Sequence, residues 1–196
     1  MYELFVLGEL LDQPLHGYLL RDIVNLAFGP ARRISWGSLY PLIRRLEADG
    51  LIAQTAEPDG AAKARRKTYA ITDRGRERFY FLMLKPEEFT SDYPELFTVK
   101  FVNADRLTPD QRMDLLLHHR SYLRFVQGQL ADSTRFIETQ EGIPEAERTL
   151  ILLTIDRQRQ LNGTELAWLE QQLTRFSKDA FGATPPNDRE RTDRDP

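Results

Sequence analysis

The sequence predicts a mainly α-helical chain whose helices are interrupted once by a short basic hairpin. Three observations carry that prediction. Apolar residues recur every three or four positions along most of the 196 residues. Two short runs, Leu51-Ile52-Ala53-Gln54-Thr55 and Lys67-Thr68-Tyr69-Ala70-Ile71, have strand character and are separated by a Pro-Asp-Gly turn and a cluster of cations. Beyond Thr108 the helical spacing continues through two long segments with one break, at Gly142-Ile143-Pro144.

The first helix is expected over about residues 2–12, where Leu4, Leu7, Gly8 and Leu11 form one apolar stripe. Asp12-Gln13-Pro14 ends it, because a residue before proline is pushed out of the helical region. A second helix starts near Gly17, buries Leu19, Ile23 and Leu26, and stops around Phe28-Gly29-Pro30. The third begins between Ser35 and Ser38. With Ser38 as N-cap, Pro41 lies in the first turn, where its missing N–H removes no hydrogen bond. With Ser35 as cap, Pro41 must kink the helix, so the proline favours the later start. Leu39, Ile43 and Leu46 share one face of this helix, with Leu42 beside them. The opposite arc carries Gly37, Pro41, Arg44 and Ala48, flanked by Ser38, Tyr40 and Arg45. The helix ends at Gly50 and runs straight into the first strand.

Between the strands, Lys63, Arg65, Arg66 and Lys67 put four cations at a hairpin tip, placed to hold phosphate or enter a minor groove. A loop that is only solvated would carry the same residues. Thr72-Asp73-Arg74-Gly75 then supplies an N-cap for a fourth helix running through Arg76 to about Lys85.

Helix, turn, second helix, third helix and basic hairpin, in that order, make a winged helix-turn-helix, a module that reads DNA. A third helix inserted by its N-terminal end needs little bulk near the bases, hydroxyl or guanidinium donors, and a positive dipole toward phosphate. Ser38, Tyr40, Pro41, Arg44 and Arg45 answer to that description. His16 and Tyr18 before and in the second helix, with Lys63, Arg65, Arg66 and Lys67 of the hairpin, complete the expected DNA-binding set. An ordinary solvated helix face with two arginines is the plainer alternative.

Three segments together resemble, in their order and spacing, the PadR family of bacterial transcriptional regulators. They are Pro14-Leu15-His16-Gly17-Tyr18, the stretch from Gly37 to Ile52, and Arg65-Arg66-Lys67-Thr68-Tyr69-Ala70-Ile71-Thr72-Asp73-Arg74-Gly75. The likeness is close over about residues 2–84 and looser beyond. It implies a ligand-responsive repressor that binds an inverted repeat in double-stranded DNA as a homodimer, with its dimerisation domain in the C-terminal helices. The rival reading is a winged-helix adaptor that binds other proteins and never meets DNA.

The fourth helix ends on Phe79, Tyr80 and Phe81, and Phe89, Tyr93, Phe97 and Phe101 follow. The resemblance implies a small aromatic effector, for which Phe79, Phe89, Tyr93, Phe97 and Trp168 are the candidate residues. Core packing explains the same rings without any ligand. Thr108 as cap and Pro109 at the first helical position open a helix to about Gln140, with Leu116, Leu123, Val126, Leu130 and Ile137 along one side. After Pro144 a second helix runs to about Phe181, and Ile151, Ile155, Gln158, Asn162, Leu166, Leu169, Leu173 and Phe176 step along it by three or four. Such a seam suits a partner helix; the two helices can form a hairpin within one chain, but that leaves apolar surface for a second copy to cover, and Ile151, Ile155, Asn162, Leu166, Leu169, Leu173 and Phe176 are the expected dimer interface. An intrachain bundle completed by a helix at about 92–104 is the alternative. Three parts follow: residues 1–85 as a winged helix-turn-helix DNA-binding domain, 86–181 as a helical dimerisation and effector domain, and 182–196 as a disordered, charged and proline-containing tail.

Charge supports this division. Residues 1–85 carry 13 Lys+Arg against 10 Asp+Glu, whereas 86–196 carry 14 against 20, so +3 faces −6. Only the first is suited to a phosphate backbone. The absence of cysteine excludes disulfides, thiolate zinc sites and cysteine nucleophiles. No run reaches the length of a membrane span, and Met1-Tyr2-Glu3 lacks a basic signal-peptide start, so a cytoplasmic protein without a membrane partner is expected. Catalysis is not expected. His118 and His119 diverge by about 100° on a helix, and Asp114 with His118 lacks a third ligand, so no metal or cofactor is expected.

Overall fold

The computed structural model describes residues 1–28, 36–55 and 67–179, and it divides into two compact units, Met1–Leu107 and Thr108–Pro196. In the first, α1 (Tyr2–Glu9), β1 (Leu15–His16), α2 (Gly17–Phe28) and α3 (Trp36–Ala48) precede the hairpin β2 (Ile52–Thr55) and β3 (Thr68–Ile71). Then come α4 (Asp73–Leu84), α5 (Tyr93–Val102) and a 3-10 turn over Ala104–Arg106.

Leu4, Phe5, Val6, Leu7 and Gly8 are all buried, so α1 is enclosed on every side rather than along one stripe. It gives way to turns after Glu9, before the expected end at residue 12. The sheet is antiparallel with order β1-β3-β2. Leu15 pairs with Tyr69 and His16 with Thr68, while Thr55 closes the other side of Thr68. The expected two-stranded hairpin thus gains a third strand, which at two residues is too short to show alternation.

Gly17 donates its N–H to the Lys67 carbonyl at 3.3 Å, so β1 passes into α2 without a loop and the sheet sets the phase of the helix. The consequence is a correction of one position. Leu20 is fully buried, and Leu19, expected inside, is 45% exposed. A second correction concerns α3. It begins at Trp36, so Pro41 lies inside the helix rather than in the first turn and removes one interior hydrogen bond. Leu39, Ile43 and Leu46 fill the core as a single face.

The turn from α3 into β2 is held tightly. Gly50 sits at φ +67°, a conformation glycine adopts without strain. Thr72 caps α4 by accepting from the Gly75 N–H at 3.0 Å, and its hydroxyl donates to the Gly50 carbonyl at 2.7 Å. A Cβ on Gly75 would lie 2.0 Å from the Leu51 carbonyl oxygen, so only glycine permits this approach.

Residues 86–107, assigned by sequence to the second domain, cluster with the first unit. The reason is burial. Tyr93, Phe97 and Val99 of α5 enter its core, and Lys100 is buried with them. Its Nζ donates to the Lys85 carbonyl at 2.6 Å and lies 3.3 Å from Glu87 Oε1. Burial pulls the Lys100 pKa down, and Glu87 opposes that shift.

The second unit is a helical hairpin, α6 (Pro109–Thr139) and α7 (Glu145–Asp179). Thr108 and Gln111 form a capping box with Pro109 at the first helical position. At the other end of α6 the Arg148 guanidinium donates to the carbonyls of Ile137, Glu138 and Gln140. The seam expected to meet a second copy is occupied within the chain instead. Leu169 is fully buried, Ile155, Asn162 and Leu173 are nearly so, and Ile151, Leu166 and Phe176 lie half-buried beside them. The physical reason is α6 itself, whose Leu116, Leu123 and Leu130 supply a matching stripe once the turn at Gly142 reverses the chain. Asn162 Nδ2 donates to the Leu123 carbonyl at 3.2 Å, and fully buried His119 places Nε2 2.9 Å from Glu165 Oε1. No described helix is long and apolar enough to cross a membrane.

Candidate nucleic-acid interface

On α3, the residues opposite the buried face stand out from the fold. Gly37, Pro41 and Arg44 are exposed and Tyr40 is half-buried. Arg44 lies over the Tyr40 ring with its guanidinium carbon 5.1 Å from the centroid, so the aromatic face holds the cation along the helix. Behind this pair, Tyr69 of β3 is buried. Burial raises the pKa of its hydroxyl, Glu47 and Tyr40 raise it further, and Arg44 opposes them, so the phenol stays protonated and neutral. Ser38 belongs to α3 by its backbone.

Arg45 turns elsewhere. Its Nη2 lies 3.6 Å from Glu3 Oε2 of α1, and Glu3 also accepts from Arg78 Nε at 2.8 Å. These groups border an open polar groove of about 570 Å³ shared with Asp49, Arg74 and Phe81. The two adjacent arginines of α3 therefore serve different surfaces. A wheel drawn from sequence places both near the outward arc, and only the neighbouring α1 separates them.

A third patch lies where β1 meets α2. The His16 ring places Nδ1 2.8 Å from Thr68 Oγ1. Tyr18 is exposed, Arg21 lies over its ring at 5.7 Å, and exposed Lys67 precedes Thr68. Arg21 and Thr68 are additions that sequence reasoning missed. Arg21 looked like any exposed helix cation, and Thr68 became visible only through the β1–β3 register. Lys63, Arg65 and Arg66 of the hairpin tip, and the tail 182–196, lie outside the described residues.

The aromatic candidates divide. Phe79, Tyr93 and Phe97 are buried in the first unit, where Phe89 meets Tyr93 edge-on at 5.3 Å and Phe97 stacks on Phe101 at 5.6 Å. Trp168 belongs to the second unit and is 38% exposed on α7. Among the described residues no group of three His, Asp or Glu side chains is arranged to hold a metal ion.

Residues 6–80 match the family model described as the Transcriptional regulator PadR-like family. An uncharacterized 37.1 kDa protein in a Streptomyces fradiae transposon is 36% identical over 75 residues, which cover 38% of this chain and 20% of that protein. The match thus spans one fifth of that relative's length. Among solved structures, Bacillus subtilis PadR in complex with operator DNA aligns over 89% of this chain and 96% of its own, at 19% identity and a TM-score of 0.41. The Vibrio cholerae virulence activator AphA aligns over 91% and 99%, at 15% identity and 0.39. The family match thus falls on residues 6–80, the segment that holds α3 and the strands β2 and β3.

Proposed function

We propose that this chain is a sequence-specific, double-stranded-DNA-binding repressor that acts as a homodimer on an inverted repeat. The observation that carries this reading is the outward arc of α3, with Arg44 held over Tyr40, within a segment that matches the PadR-like family. An exposed guanidinium on the outward arc of a helix fits the acceptors of a guanine edge in the major groove. The cations Lys63, Arg65, Arg66 and Lys67 supply phosphate contacts beside it. Two such heads on a dimer would read half-sites one duplex turn apart, roughly 34 Å.

The apolar surface of the helical hairpin supports the dimer. With the seam of α7 filled by α6, Leu150, Leu161 and Trp168 remain exposed, at spacings of eleven and seven that keep them on one side of the helix. Exposed Phe136 lies on α6. A second copy that covers these residues would be joined through them, not through the buried seam.

Release by a small aromatic compound belongs to the same reading. The rings of Phe79, Tyr93 and Phe97 are engaged in core packing, so an effector must either displace them or use half-exposed rings such as Phe89 and Trp168.

A mobility-shift titration against the protein's own upstream region tests the proposal. Saturable binding with two protomers per site, weakened by an aromatic acid, is the expected result. Absence of any retained duplex at low salt would overturn it in favour of a protein-binding adaptor.

A further inference from the structure

We infer that His16, oriented by Thr68, contacts a DNA phosphate, so that protonation of its imidazole tunes affinity for duplex of any sequence. This rests on the DNA-binding reading above and adds a positioning residue and a regulatory input to it.

The placement comes first. His16 ends β1, pairs with Thr68 on β3, and lies in one row with Thr55 of β2. That row is the end of the sheet from which the basic segment 56–66 departs and to which it returns. Exposed Lys67 precedes Thr68, exposed Tyr18 follows Gly17 in α2, and Arg21 lies over Tyr18. A polyanion held by Lys67 would lie beside the Thr68–His16 pair.

The hydrogen bond explains why the ring can act in both charge states. Thr68 Oγ1 lies 2.8 Å from Nδ1. A hydroxyl is both donor and acceptor. When it donates to Nδ1, the neutral ring carries its hydrogen on Nε2. When the ring is charged, Nδ1–H donates to the hydroxyl instead, and Nε2–H is unchanged. Thr68 thus holds the imidazole in one orientation, and Nε2 is a donor both in the charged ring and in the neutral tautomer whose Nδ1 accepts from the hydroxyl. Only the charge changes, and imidazole is the side chain that changes charge between pH 5 and 8.

The surrounding groups favour an anion such as phosphate as the partner of the ring. The titratable and charged groups on and beside the elements packed against β1 are Lys67 just before β3, Tyr69 of β3, and Tyr18, Arg21 and Asp22 of α2. Asp22, the carboxylate among them, is paired with Arg21 at 2.6 Å, and Tyr69 is buried. The described neighbourhood therefore offers cations and hydroxyls to an incoming anion and leaves it to balance the imidazolium.

The test is fluorescence anisotropy of the full chain on a labelled random duplex of about 20 base pairs, at about pH 6 and about pH 8 and constant ionic strength near 0.1 M. One more neutralised phosphate should tighten binding on the order of five- to tenfold at the lower pH. In His16→Gln the ratio between the two pH values should fall to about one. Thr68→Val should reduce the ratio while the far-ultraviolet circular dichroism stays that of the wild type, and Thr68→Ser, which keeps the hydroxyl, should restore it. A wild-type ratio retained in His16→Gln, or a flat wild-type response, overturns the inference and leaves the DNA-binding reading intact. No binding at either pH overturns that reading itself.

Discussion

Arg44 and Arg45 are neighbours in the chain with different surroundings. Arg44 rests on Tyr40 over the outward arc of α3, while Arg45 leans toward Glu3 of α1. Arg44→Ala should therefore lower affinity for an operator more than for random duplex, by about 1–3 kcal/mol, measured as the ratio of the two dissociation constants. Arg45→Ala should change both by the same small factor. If the two variants behave alike, Arg44 does not read bases. Asn162 offers a second test at this scale. It is buried between α6 and α7 with one hydrogen bond, and no described group donates to its Oδ1. A buried acceptor without a partner costs about 1–3 kcal/mol, so Asn162→Leu should raise the thermal midpoint of the helical unit or leave it unchanged. A marked fall would show that the Leu123 contact outweighs that cost.

At the scale of elements, the hairpin turn depends on one cation. Arg148, in the first turn of α7, collects three carbonyls from the last turn of α6, groups that helix geometry leaves without intrahelical partners. Arg148→Ala should cost about 1–3 kcal/mol, since it removes charge-assisted hydrogen bonds at a half-buried position. Amide exchange should accelerate around residues 134–150 and remain unchanged in α1 and α4. Uniform acceleration would mean that the two units unfold together. The start of α4 follows the same logic without a charge, because Thr72 and Gly75 bind it directly to the turn at Gly50 and Leu51.

At the scale of the whole molecule, the proposed dimer requires an apolar surface that a second copy would cover. Leu169 is fully buried against α6, whereas Leu161 is 56% exposed on α7. Leu169→Asp would place a carboxylate in the hairpin core, a cost of several kcal/mol that should abolish the cooperative melting of residues 108–179. Leu161→Asp should leave the melting curve almost unchanged, halve the mass in sedimentation velocity, and reduce operator affinity more than random-duplex affinity. A second head on the same duplex binds at high effective concentration, and a monomer loses that linkage. A Leu161→Asp protein that remains dimeric would move the interface away from this side of α7.

Local chemistry made much of this chain legible in the amino-acid sequence. Thr72 and Thr108 as caps, Pro109 at the head of α6, Gly50 and Gly142 at turns, and Leu39, Ile43 and Leu46 as one buried face depend on spacings of a few residues, which the chain order states directly. The tertiary structure decided what depends on distant neighbours. The strand Leu15–His16 exists because β3 is beside it, and that pairing sets the phase of α2 and brings Thr68 to His16. Residues 86–107 cluster with the first unit because α5 finds a core there to enter. The apolar seam of α7 is filled by α6 rather than left for a second copy, because a periodic stripe specifies that a helix must be covered and carries no record of which helix covers it.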